Sequence, residues 1–175
     1  MTHFLRYFAA ILLFFFIGLL LLNSCFPLKV NVPYSQVVTD KDGYILHTFL
    51  SADDKWRMYT TLPEITPDLQ KAILFKEDRY FYYHFGINPL AIGRALFNNI
   101  LKRKRTSGAS TITMQVARLL SPKSRTYRNK IIEIFRAIQI EYRYSKAEIL
   151  QLYLNLVPYG GNIEGVKSAS VLFFG

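Results

Sequence analysis

An apolar run near the N-terminus sets the first limit on how this chain can fold. Between Tyr7 and Leu28 the only polar side chains are Asn23 and Ser24. At about 1.5 Å per residue the run is long enough to cross a hydrocarbon layer about 30 Å thick. Arg6 precedes it and Lys29 follows it, so the flanking charges set no strong orientation. Residues 1–28 therefore read as a signal-anchor helix that leaves the rest of the chain outside the cytoplasm, at a membrane. A cleaved signal peptide leads to the same side, although no small-x-small cleavage site precedes Pro27. So does a lipoprotein signal, with Leu22-Asn23-Ser24-Cys25 placing lipid on Cys25. Asn23 fits that signal poorly, and the preferred reading of Cys25 is a small apolar residue. A single cysteine rules out an internal disulfide and a Cys-based metal site.

What remains is long enough for one globular domain. The formal charge of the chain is +10. Its densest run is Lys102-Arg103-Lys104-Arg105, and Lys123, Arg125, Arg128 and Lys130 form a second cluster. Such a surface suits nucleic acid, an anionic membrane or a diphosphate head group. The basic run lacks the interleaved aromatics of a base-stacking platform, and the anchor places it on the wrong side of the membrane. Nucleic acid is therefore not the expected partner.

Residues 29–64 read as a linker with short β-strands. Ser35–Thr39 and Tyr44–Leu50 flank a hairpin turn at Asp40-Lys41-Asp42-Gly43, and Lys55–Thr61 is a third strand candidate. From Thr66 the pattern is helical. Thr66-Pro67-Asp68 starts the first helix, with a capping hydroxyl ahead of proline. Asn88-Pro89 starts the next, with Leu90, Gly93, Phe97 and Ile100 on one stripe. Ser110 or Thr111 caps a third, which Pro122 stops. A fourth spans Tyr127–Tyr144, with Ile131, Ile134, Phe135 and Ile138 as its apolar stripe. Ser145-Lys146-Ala147-Glu148 is a capping box opening a fifth. Pro158-Tyr159-Gly160-Gly161-Asn162 is a tight turn, and a last apolar helix starts near Glu164. An apolar run rarely closes a complete domain, so the chain reads as an N-terminal fragment.

Three clusters carry chemistry. Glu77 ends an apolar helix beside Phe75, Tyr80 and Phe81. Partial burial there would lift a carboxylate toward the working range of a general base. Asp78 and Arg79 adjoin it, and His84 and Gly86 follow. The plainer reading is an exposed acidic pair at a helix end. Gly108-Ala109-Ser110-Thr111 opens a helix whose free N–H groups favour a phosphate, with Gln115 one turn on. The plainer reading there is N-capping. Lys130 and Glu133 lie on the helix face turned away from Ile131 and Ile138. They form either a surface ion pair or a site for a diphosphate, with Glu133 holding the lysine or a divalent cation. His3, His47 and His84 are too scattered for a zinc site.

Five ordered blocks tie these clusters together. They are Glu77-Asp78-x-x-Phe81-x-x-His84-x-Gly86, Gly108-x-Ser110-Thr111-Ile112-x-x-Gln115, Lys130-x-x-Glu133, Lys146-x-Glu148-Ile149-Leu150-x-x-Tyr153-Leu154-Asn155 and Pro158-Tyr159-Gly160-x-Asn162-x-x-Gly165-Val166. Together they resemble the signature blocks of peptidoglycan glycosyltransferases, the N-terminal domain of class A penicillin-binding proteins. The stretch from Gly108 to Thr126 looks most like the 1C branch.

The resemblance implies a mainly α, lysozyme-like domain over residues 65–175, C-terminally incomplete. The domain would lie on the outer face of the cytoplasmic membrane and polymerise lipid II. It implies that Glu77 is the base and Glu133 the second essential carboxylate. Asp78, Arg79, His84, Ser110, Thr111 and Gln115 would contact substrate. Lys123, Arg128 and Lys130 would neutralise the undecaprenyl diphosphate of the growing glycan. The sequence requires no cofactor; some family members use a divalent cation at the diphosphate, which would place Mg2+ or Mn2+ near Glu133, and other cell-wall synthesis proteins would be partners. The third block departs from the family's Arg-Lys-x-x-Glu, since Asn129 holds the Arg place. No Ser-x-x-Lys or Lys-Thr-Gly of the penicillin-binding half occurs. Two other readings stay open: a lysozyme-like glycan-cleaving enzyme and a non-catalytic, membrane-anchored scaffold.

Overall fold

The computed structural model describes the backbone of residues 2–102 and 110–175, with side chains described for all of these except parts of the first and third helices. Most of the chain is helical. It divides into two compact units, Met1–Val30 and Asn31–Gly175. The first is essentially one helix, α1 (Thr2–Cys25). Among the described residues no helix is long and apolar enough to cross a membrane. The anchor expected over residues 1–28 therefore rests on its sequence alone.

The second unit begins with an antiparallel hairpin, β1 (Val37–Thr39) and β2 (Ile45–Thr48). Asp40 makes its turn by accepting the backbone N–H groups of Asp42 and Tyr44. The expected third strand at Lys55–Thr61 does not join this sheet. The segment runs instead as a strap across the helices, with one isolated bridge from Trp56 to Ile163. Side chains hold it there. Asn155, fully buried, accepts the Thr60 N–H and donates to the Thr60 carbonyl, and Ser168 Oγ accepts the Met58 N–H. Arg57, 4 % exposed, donates to Asp53, Glu164 and the Pro33 carbonyl. These polar anchors do for the strap what a ladder of sheet bonds would have done.

The helices follow: α2 (Pro67–Glu77), a 3-10 turn (Phe81–Tyr83), α3 (Pro89–Lys102), α4 (Ile112–Leu120), α5 (Tyr127–Arg143), α6 (Lys146–Leu156) and α7 (Val166–Phe174). A small hairpin, β3 (Pro158–Gly160) with β4 (Ile163–Glu164), sits where the tight turn was expected. The local start signals work at most of these ends. Asn88, Thr111, Thr126 and Ser145 each accept a backbone N–H three residues on, and Ser145 completes the capping box with Glu148. Thr66 is the exception, because its hydroxyl caps nothing and Pro67 alone sets the helix start.

The core is built by α4, α5 and α6. Ile112, Met114 and Val116 of α4 pack with Ala137 and Ile140 of α5 and with Ile149, Leu150 and Leu154 of α6, all buried. Parts of two expected stripes do not face it. Leu90 and Phe97 of α3 are exposed, and so is Ile131 of α5. The face that α5 buries is centred on Ala137 and Ile140, nearer its C-terminal end, because α4 and α6 cross it there. α2 buries no residue at all.

One glycine is obligatory. Gly165 has φ +83°, and a Cβ there would meet the Asn155 carbonyl oxygen at 2.7 Å. The obstacle is backbone and cannot swing aside. Gly165→Ala is therefore expected to lower unfolding free energy by about 3 kcal/mol, read as a lower urea midpoint at unchanged slope. A second expectation concerns pH. The Arg57 guanidinium bonded to Asp53 holds that carboxyl below its ordinary range. A depressed folded value means the stabilisation is present above the unfolded value and disappears as pH falls through the folded one. The melting temperature of Asp53→Asn should thus vary less than that of the parent chain below about pH 4.

Candidate active site

The end of α2 and the start of α4 meet at two adjacent carboxylates with opposite surroundings. Asp78, the residue after α2, is 7 % exposed. Both its oxygens lie 3.0 Å from His84 Nε2, and Oδ2 also accepts the Ile112 N–H at 3.0 Å. A carboxylate thus occupies the positive end of α4 from within the fold. Thr111 completes the join, donating to the Gly86 carbonyl at 2.6 Å and accepting the Met114 N–H. The free helix start expected to receive a phosphate is therefore already filled, and Gly108 and Ala109 lie outside the described residues. Asp78, His84 and Thr111 were expected to touch substrate. Their side chains are buried in the junction of α2 and α4, where His84 also borders a cavity with Tyr80, Tyr83 and Arg94.

A second set of bonds fixes the loop that follows Asp78. Lys146 Nζ, at the start of α6, donates to the His84 carbonyl at 2.7 Å and to Glu141 Oε1 at 2.6 Å. It also lies 4.5 Å from the centre of the Phe81 ring. Glu141 is in turn bonded by Thr113 Oγ1. Gly86, at φ +74°, backs onto this cluster, where a Cβ would lie 3.0 Å from Glu141 Cγ and 3.1 Å from the Ala137 carbonyl oxygen.

Glu77 faces the other way. It is exposed, and the burial expected beside Phe75, Tyr80 and Phe81 is absent, because only Phe81 turns into the core. Its Oε2 accepts the Gln115 amide N–H at 3.1 Å. The Gln115 oxygen points to the hydroxyl of Tyr153 on α6, 3.5 Å away. Burial, then the charges of Glu77 and Tyr159, push the Tyr153 phenol above its ordinary value, with Arg118 opposing them. The phenol therefore remains a proton donor at neutral pH. Tyr153 stood in the fourth sequence block without a role, since neighbours that are 38 residues apart leave no local signal.

Arg118 lies three residues beyond Gln115 on α4, about 4.5 Å further along the axis. It lines a cavity of about 370 Å³ together with Ser110, Arg125, Asn129, Lys130 and Glu133. Lys130 Nζ donates to Ser110 Oγ and to Glu133 Oε2, both at 2.8 Å. The sequence leaves the Lys130–Glu133 pair as either a surface ion pair or a diphosphate site. The structure turns it toward the start of α4, with Glu133 only 18 % exposed. Among the described residues three cations line this cavity against one carboxylate, which suits a ligand bearing two or three negative charges.

Two of those cations, Arg118 and Arg125, were not singled out for this role in sequence. Lys123 and Arg128, which were, are exposed and do not line the cavity. Asn129 supplies the reason. Its amide donates to the Ser124 carbonyl at 2.8 Å and to Ser124 Oγ at 3.2 Å. That closes the loop before α5 and brings Arg125 to the cavity wall. Arg79 is exposed and stacks over Phe75 and Tyr80 rather than reaching either carboxylate. The basic run at residues 102–105 lies outside the described side chains.

A divalent cation beside Glu133 finds one carboxylate there, already paired with an ammonium. Among the described residues no group of three or more His, Cys, Asp or Glu comes together.

The family model described as Transglycosylase matches residues 42–175. The chain is 40% identical over 154 residues to penicillin-binding protein 1C of Escherichia coli K12, covering 87% of this chain and 20% of that protein. It is 44% identical over 148 residues to penicillin-binding protein 1A of the same organism, covering 83% of this chain and 17% of that protein. It is 37% identical over 149 residues to penicillin-binding protein 1A/1B of Bacillus subtilis 168, covering 84% and 16%. The chain thus spans a fifth or less of the length of these relatives.

The two neighbouring carboxylates should respond differently to loss. Asp78→Ala leaves a buried imidazole and a helix N-terminus without their partner, and is expected to lower unfolding free energy by about 3 kcal/mol. Glu77→Ala should change it by less than about 0.5 kcal/mol. Urea titration of the two variants measures both.

Proposed function

We propose, from the premise that this chain belongs to the transglycosylase family, that it forms the peptidoglycan glycosyltransferase part of a class A penicillin-binding protein. Its substrate is lipid II together with the undecaprenyl-diphosphate-linked glycan, and its product is a lengthened glycan strand. The observation that carries this reading is the arrangement along α4. Gln115 meets an exposed carboxylate, Glu77, and Arg118, one turn on, enters a cationic cavity with Lys130 and Glu133. A proton acceptor and a leaving-group site are what transfer from a sugar diphosphate to a hydroxyl requires.

In this reading Glu77 Oε1 takes the proton of the acceptor's 4-hydroxyl, while Oε2 is held by Gln115. The acceptor oxygen forms a bond to the anomeric carbon of the growing chain as the bond to the diphosphate oxygen breaks, with inversion. The diphosphate leaves with the bonding electron pair. Lys130, Arg118 and Arg125 offset its growing charge. Glu133 and Ser110 hold the lysine ammonium between them, so its charge is placed before the reaction starts.

The membrane placement belongs to the same proposal. The apolar sequence of α1 suits a single-pass anchor in the cytoplasmic membrane, with the domain on its outer side. In the second unit Phe75, Tyr80, Tyr83, Phe85 and Leu90 are all exposed, with Arg79 among them. Exposed aromatics beside a basic side chain suit the lipid–water boundary. A lysozyme-like architecture and contacts with other cell-wall synthesis proteins remain part of the proposal.

The test is polymerisation of labelled lipid II by the chain in detergent. The parent chain should give a ladder of glycan lengths, and Glu77→Gln should slow it by about a thousandfold. Lys130→Ala should slow it by about a hundredfold. Equal ladders from the parent and Glu77→Gln, or soluble fragments released from purified cell-wall glycan, would overturn the assignment.

A further inference from the structure

We infer that Tyr153 is a positioning residue for proton transfer, its hydroxyl orienting the Gln115 amide so that the N–H end meets Glu77. The inference rests on the reading of Glu77 as the base. Tyr153 lies on α6, 3 % exposed, and acts through Gln115 rather than by touching substrate.

The two ends of a primary amide have the same shape but opposite hydrogen-bonding character. Either end of Gln115 fits against Glu77. With the N–H end there, Oε2 of the ionised carboxylate is satisfied and Oε1 is left as the oxygen that receives a proton. With the oxygen end there, two acceptors face each other until the carboxyl is protonated. It then becomes a donor and the flipped amide suits it. The flipped amide therefore favours the protonated, spent form of the base. The observed orientation favours the ionised, ready form.

A group on the far side of the amide reinforces the observed one. The Tyr153 hydroxyl is 3.5 Å from the Gln115 oxygen, and the Gln115 nitrogen is 3.1 Å from Glu77. The first contact is long, as catalytic hydrogen bonds commonly are before substrate shortens them. Burial and the nearby Glu77 charge keep the phenol protonated, and in the observed arrangement its O–H donates to the amide oxygen. The tyrosine ring is held in the α4–α6 core, where Ile149, Leu150 and Leu154 are fully buried, so the hydroxyl is presented from a rigid wall.

The experiment compares the full chain, Tyr153→Phe, Gln115→Ala and the double variant, in detergent, with labelled lipid II. Tyr153→Phe should lower kcat about three- to tenfold and leave KM within about twofold. Gln115→Ala should lower kcat more, and adding Tyr153→Phe to it should change nothing further. If Tyr153→Phe lowers kcat by the same factor in both backgrounds, the residue is only packing and the inference fails. A second measurement needs no turnover. The side-chain amide of Gln115, followed by nitrogen-15 resonance, should shift in Tyr153→Phe and again in Glu77→Gln. An amide signal that ignores Tyr153→Phe overturns the inference even if the parent chain makes no polymer. An amide that responds in a chain that makes none upholds the contact and overturns the proposed function instead.

Discussion

The buried Asp78 carboxylate has partners from two separate parts of the chain, the His84 imidazole and the Ile112 N–H. It is flanked by water-exposed residues on either side, yet sits almost wholly inside. A carboxylate in that position is tolerable only while its lone pairs are taken. Satisfying them forces the end of α2 against the start of α4. Glu77 then emerges on the outer side of the same junction, within reach of Gln115. The geometry of the exposed carboxylate is thus a consequence of burying its neighbour.

α4 turns this junction into a site. Its buried face packs on α5 and α6, so it cannot roll. Its remaining positions are correspondingly fixed. Ser110 before its cap receives Lys130, Gln115 meets Glu77, and Arg118 enters the cavity. The positive charge of the cavity is likewise arranged by neutral groups. Asn129 folds the loop before α5, and that fold, rather than the helix itself, delivers Arg125. The asparagine that departs from the family's third block has a structural task, and a different arginine stands at the cavity.

Much of the framework was legible because its signals are local. A capping box or an Asn-Pro helix start depends on atoms three or four residues apart, and so can be read from a window of sequence. The order of the five blocks was legible for another reason, since each block names a chemistry even before its place is known. Several of the expectations that failed concern direction. Leu90 and Phe97 are spaced as a core stripe and face outward. Lys123 and Arg128 carry the charge expected at the cavity, while Arg118 and Arg125 line it.

The sequence by itself determined the helical elements, most of their capped starts, the pair of carboxylates and the excess of positive charge. These depend on backbone propensity and residue type, which act over a single turn. Only the tertiary structure decided which carboxylate is buried, which way α5 presents its lysine, and that Tyr153 stands behind Gln115. Those outcomes depend on which helix faces compete to cover one another. That competition is settled by packing between segments tens of residues apart, where no periodicity in the chain records the winner.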